Sequence, residues 1–179
     1  MPKLILIIIE FAISVVAIWS LFFLSTLLHE AGHAVGYLLA TGDMHWHIRV
    51  GSGIQLLNTR RLTVKLFPFD GFFMPSDQNK LDTKAKKILM LAGGPAVSLI
   101  LAVILLIVRF GGLSLQPVLF TPSAVEAFIN IALVINLCVL ILALIPAHYF
   151  HGEIRGRETD GLLMIRILKS HTDGNEEQK

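Results

Sequence analysis

The 179-residue chain has little of what a soluble domain relies on. Charged residues make up 16% of it against 54% hydrophobic, and its mean hydropathy is +0.71. Soluble domains carry about a quarter charged residues, so the balance excludes that class and points to one compact membrane unit. A single cysteine, Cys138, excludes any intrachain disulfide; set inside an apolar segment, it reads as a small buried hydrophobe. Repeats, low-complexity tracts and basic stripes interleaved with aromatics are missing, which removes nucleic acid from the expected partners. No proline or glycine interrupts the apolar run from Leu4 before Gly32. That run is too long for a secretory signal and lacks a small-residue cleavage site, so it reads as mature structure.

What is present fits an all-α polytopic membrane protein with about three transmembrane helices and a small strand-containing insert on the cytoplasmic membrane edge. Residues 1–170 form a single membrane-embedded domain, and 171–179 read as a disordered tail. Spans are expected at about 4–40, 88–110 and 124–146, each at or above the roughly 20 helical residues that cross a bilayer. The first is about 55 Å long as one helix, so its ends tilt or project, and Glu10 sits near the headgroups. Lys and Arg are absent between Gly111 and Ser123 but recur eight times between Thr41 and Lys87 and again after Ile145. By the positive-inside rule the middle segment and tail face the cytoplasm and the N-terminus faces outward, with Lys3 alone opposing; the expected location is the plasma membrane.

The insert spans 44–75. Alternation at His47–Val50 and Arg61–Leu66 predicts two short strands, with turns at Gly51–Gly53 and Leu57–Thr59. Phe67–Phe73 reads as an aromatic turn at the interface or over a site. His45 and His47 flank Trp46, and alternate strand positions of this kind read as an exposed pair.

The chemistry lies in His29-Glu30-Ala31-Gly32-His33. On a helix, histidines four residues apart project from one face, one turn apart, with the glutamate beside them. A zinc ion on such a pair lowers the pKa of its water to about 7, and Glu30 is placed to take the proton as general base. Chance produces this pattern in on the order of one chain in a hundred of this composition. Three ionisable groups in an apolar helix are also costly to keep in a membrane without a use.

A catalytic zinc site usually takes three protein ligands. The zincin class with a further histidine six residues on is excluded, because Leu39 stands there. Asp160, Glu153, His148 and His151, all after the third span, remain as alternatives. Gly93-Gly94-Pro95 in the second span lies at similar depth to His33; the proline frees backbone carbonyls and the glycines admit a close helix. Asn130 and Asn136 read as interhelical hydrogen-bond groups. Thr159-Asp160-Gly161 opens a short terminal helix.

The chain resembles the site-2 protease family of intramembrane zinc metalloproteases. The match consists of His29–His33, then Gly94-Pro95-Ala96-Val97-Ser98, then Pro146 followed by Asp160-Gly161. The resemblance implies one zinc ion held by His29, His33 and Asp160, with Glu30 activating water. It also implies Gly94, Pro95 and Ser98 as substrate contacts, and a transmembrane or membrane-associated protein as substrate. With Asp160 as ligand, residues 147–159 fold back so that the last helix docks on the first and second spans, Gly161 leaving room for the histidine helix. Three departures stand out: Ser98 and Ala143 replace asparagines, and the interval from Pro146 to Asp160 is long. The altered asparagines suit a second reading, a zinc-retaining membrane protein that binds without cleaving, whereas Glu30 suits hydrolysis.

Overall fold

A computed structural model describes residues 3–111, 122–150 and 153–170. The tail 171–179 and His151 lie outside the described residues. Helix α1 (Lys3–Thr41) leads to strands β1 (Trp46–Asn58) and β2 (Leu62–Pro75), then helices α2 (Lys84–Phe110), α3 (Pro122–Leu144) and α4 (Asp160–Lys169). The first three helices are long and apolar enough to cross a membrane.

The two halves of α1 differ in kind. Every buried residue of the helix lies from Leu21 onward, and these include Ser25, Thr26, His29, Glu30, His33 and Tyr37. The earlier half exposes Leu4, Ile7, Phe11 and Val16, side chains that suit lipid and would be costly in water. The buried half meets α2 through glycine. A Cβ on Gly32 would run into the backbone of Gly93 and Gly94, and one on Gly36 into that of Leu89 and Met90. Small residues four apart allow this approach of two membrane helices, whose attraction is packing and not water exclusion. Pro95 lies within α2.

Asn136 of α3 donates from Nδ2 to the Ser98 carbonyl at 2.7 Å, and Arg109 donates to Asn130 Oδ1 at 3.0 Å. Both asparagines thus tie helices together. Cys138 is exposed on α3, contrary to the expected burial; an apolar helix facing lipid needs no protein cover there.

The insert differs from the expected pair of short strands. β1 and β2 form an antiparallel hairpin of 13 and 14 residues, closed between Asn58 and Leu62. Gly51 and Gly53, read as a turn, lie inside β1 at φ of +89° and +79°, and the register slips through this stretch. Glycine tolerates those angles, so the strand bulges and continues. Phe67–Phe73, also read as a turn, belongs to β2. Phe67 and Phe69 are exposed, whereas Phe73 packs with Ile48, Val50, Tyr37, Ala34 and Leu81 in the core between hairpin and α1. The Tyr37 hydroxyl lies 3.1 Å from Asp43 Oδ2, which also accepts from Lys80 Nζ at 2.7 Å, so a buried carboxylate fastens the α1 end to the segment after the hairpin.

After α3 the chain doubles back. Thr159 N donates to the Ala147 carbonyl at 3.0 Å, Tyr149 N to Arg157 at 2.9 Å, and Gly156 N to Tyr149 at 2.7 Å. Thr159 then caps α4, its hydroxyl accepting from Leu162 N. α4 packs on α2 and α3. Gly161 serves the second of these: a Cβ there would strike the Leu144 carbonyl of α3. The expectation that it makes room for the histidine helix is corrected accordingly.

Candidate metal centre

The buried half of α1 presents His29 and His33 side by side, their rings 5.0 Å apart and nearly perpendicular. The doubled-back segment delivers Asp160 to them at the first residue of α4. Asp160 Oδ2 lies 3.2 Å from His29 Nε2 and 3.2 Å from His33 Nε2. One ligand atom from each of the three residues lies within 4.8 Å of the others, the one group of this kind among the described residues. Two ligands about 2.1 Å from a tetrahedral zinc are about 3.4 Å apart, so these spacings suit a shared ion. The donor set, two imidazoles and a carboxylate, suits zinc as well. Burial pushes the Asp160 carboxyl up, but hydrogen bonds from protonated Nε2 atoms of the two histidines outweigh it and hold the group below its ordinary range as a carboxylate; a bound metal ion would displace those Nε2 protons.

Space for an ion comes from α2. A Cβ built on Gly94 would meet His33 Nε2 and would lie 2.7 Å from His29 Nε2. It would fill the gap toward which both nitrogens point. The opposite ring nitrogens are engaged: His33 Nδ1 lies 3.0 Å from the Met90 carbonyl, and His29 Nδ1 lies 2.9 Å from Ser98 Oγ.

Glu30 is 7% exposed and lines a cavity of about 930 Å³ together with His29, His33 and Asp160. β2 roofs it closely: a Cβ on Gly71 would touch the Glu30 side chain. Phe72, Met74, Leu91 and Leu163 give the cavity apolar lining. A glutamate beside two histidines and an apolar trough can move a proton to and from a bound peptide.

The alternatives for a third ligand separate here. Glu153 lies on the roof, bonded to Lys65 Nζ at 2.6 Å and Arg49 Nη1 at 2.9 Å, away from the histidines. His148 lines the cavity but faces Glu158 at 3.7 Å. Among the described residues His45 and His47 gather no metal-binding group of three; His45 bonds Asp43, and the half-buried His47 bonds Thr63 and the Arg60 carbonyl.

Of the expected substrate contacts, Ser98 is 1% exposed behind His29 and outside the cavity lining. Its hydroxyl meets a ring nitrogen of His29 and does not face the cavity, while keeping further hydrogen-bonding capacity. Gly94 and Pro95 are buried too, Gly94 against the histidine rings. Sequence reasoning missed Tyr149, which lines the cavity and whose hydroxyl bonds no other described residue. Burial, followed by the charges of Asp160 and Glu30, pushes that hydroxyl above its ordinary value, so it stays a protonated donor. It also missed Gly32 and Gly36, although their four-residue spacing in an apolar helix was a readable signal.

A family model described as peptidase family M50 matches residues 17–118, more than half of the chain, including the histidine helix, the insert and α2. No curated protein and no solved structure matches the chain.

Proposed function

The chain belongs to peptidase family M50, the membrane metallopeptidases of the site-2 protease kind, and from that premise we propose that it hydrolyses a peptide bond in or near a transmembrane segment of another protein. The observation that carries the reading is the convergence of Asp160 Oδ2 on both histidine Nε2 atoms, with Glu30 on the same cavity. His29, His33 and Asp160 would hold one zinc ion per chain. Zinc, when bound, supplies Lewis acidity: it polarises the scissile carbonyl and makes water a nucleophile near neutral pH.

The protein's own groups do the rest. Glu30 accepts the proton of the attacking water and returns it to the leaving amine. The apolar lining around Phe72, Met74 and Leu163 holds an extended segment and excludes bulk water. A substrate helix unwinds locally first, because its internal hydrogen bonds shield the peptide group. The Lys and Arg distribution supports a cytoplasmic face for the insert and α4, and the reading takes the plasma membrane as the location.

Co-expression with candidate single-span proteins tests this reading. A shortened product is expected with the native chain and none with Glu30→Gln. Equal product from both, or none from the native chain across a broad substrate set, would refute it.

A further inference from the structure

His29 and His33 sit four residues apart on α1, and three positions on α2 repeat that step: Met90, Gly94 and Ser98. The helices run antiparallel, since Gly36 meets Leu89 and Met90 while Gly32 meets Gly93. Met90 therefore falls behind His33, Ser98 falls behind His29, and Gly94 falls between. Each four-residue step advances about 6 Å along either helix, so the two series stay in register.

The chemistry at the three positions differs. A backbone carbonyl only accepts, so the Met90 oxygen, 3.0 Å from His33 Nδ1, requires the proton on Nδ1. In the neutral ring that a metal ligand must be, that leaves the lone pair on His33 Nε2, the atom facing Asp160. Ser98 Oγ, 2.9 Å from His29 Nδ1, can accept the corresponding proton and leave His29 Nε2 free in the same way. Ser98 is itself fixed from behind, because the fully buried Asn136 donates to its carbonyl at 2.7 Å. Gly94 contributes emptiness: its missing Cβ is the space between the two Nε2 atoms.

We infer that Met90, Gly94 and Ser98 form a positioning stripe on α2 that sets the ring orientation and tautomer of both histidines and keeps the ion's volume open. Ser98 is thus a positioning residue acting through His29 and does not touch substrate. The inference rests on the metal-site reading above and deepens it. A sequence signal exists in Met90-x3-Gly94-Pro95-x2-Ser98, although the Met90 contribution is a carbonyl and any side chain would supply it.

The test is zinc affinity, measured by chelator competition on the purified full-length chain in detergent, with circular dichroism as a check on folding. Removing a group that orients a ligating histidine typically weakens metal binding 10- to 100-fold. Ser98→Ala should weaken zinc within about that range, and Ser98→Thr, which keeps the hydroxyl, should recover most of the loss. Gly94→Ala should bind no zinc at micromolar concentration; Ser98→Ala only removes atoms and keeps the test open if that variant misfolds. Native affinity in folded Ser98→Ala, or equal losses in Ser98→Ala and Ser98→Thr, would overturn the stripe. His29→Ala separates the two levels. If it keeps native affinity, the metal-site reading itself falls; if it loses zinc while Ser98→Ala does not, only the stripe falls.

Discussion

The cavity has two walls made by different physics. The inner wall is the α1–α2 contact, where glycine backbones touch and a single added methyl group meets main chain. The outer wall is β2 with the doubled-back segment before α4, and charge fastens it. Glu153 bonds Lys65 and Arg49, its backbone N donates to Asp70 at 3.2 Å, and Arg157 stacks 3.8 Å over the Phe72 ring. Close-packed backbone has no graded response, because any displacement loses contact. Exposed ion pairs exchange readily with water and salt. On the proposed reading the labour is divided: the two histidines are held by the wall that cannot yield, while Asp160 is delivered from the wall that can, and substrate entry is left to that side.

The largest effect that would sharpen this contrast lies at Glu30, the proposed proton carrier between the walls. Glu30→Gln should lower turnover by about 10²- to 10⁴-fold, the usual share of general acid–base catalysis, while zinc content stays native. Loss of zinc together with activity would make Glu30 structural and blur the division.

On the inner wall, Gly32→Ala forces a Cβ onto the Gly93 carbonyl. Overpacking of this kind costs about 1–3 kcal/mol, and backbone neighbours put this site at the upper end. Denaturant unfolding in mixed micelles should show the loss, together with weaker zinc binding. An unchanged midpoint would mean that the helices part easily.

Much of this wall was legible in the sequence, and much of the outer wall was not. His29, Glu30 and His33 announce themselves because helical spacing alone puts them on one face. Gly94 stood out beside Pro95, yet its relation to the ring nitrogens needed the pairing of α1 with α2. Asp160 could not be distinguished from Glu153 by position alone, since both follow the third span; the backbone bonds from Ala147 to Thr159 make the distinction. The insert misled because Gly51–Gly53 and Phe67-Pro68-Phe69 carry turn composition. A bulge absorbs the glycines, and contacts with α1 hold the aromatic stretch in β2: Trp19 and Thr26 donate to the Leu66 and Pro68 carbonyls, Phe22 meets Phe69, and Tyr37 meets Phe73. Cys138 misled for a plainer reason: in a membrane protein an apolar neighbourhood does not imply burial in protein.

On the outer wall, effects should be smaller and sensitive to conditions. Ile154 of the doubled-back segment is buried, so Ile154→Cys in a Cys138→Ser background reports the segment's opening through thiol labelling. Adding Glu153→Gln should speed labelling without moving global stability, and raised salt should speed the parent but not the Gln variant. Equal rates in both backgrounds would show that the clasp does not hold this wall.

The smallest effect is that of pH on the same reporter. Lys65 is the main cause holding the Glu153 carboxyl below its ordinary value of 4.5. A depressed carboxylate contributes above its unfolded pKa and loses that contribution as pH falls through the folded value. Opening should therefore rise only below about pH 4.5, and only where Glu153 is present. A rise in the Gln variant of equal size would assign the effect to another group.

On the proposed reading, His29 and His33 of the inner wall and Asp160 at the start of α4 hold one metal ion. Elemental analysis of the purified protein and four single variants tests it most directly. The native chain should carry about one zinc, His29→Ala, His33→Ala and Asp160→Ala should each lose most of it, and Glu153→Ala should keep it. Native zinc content in a folded Asp160→Ala variant, or its loss in Glu153→Ala alone, would contradict the account.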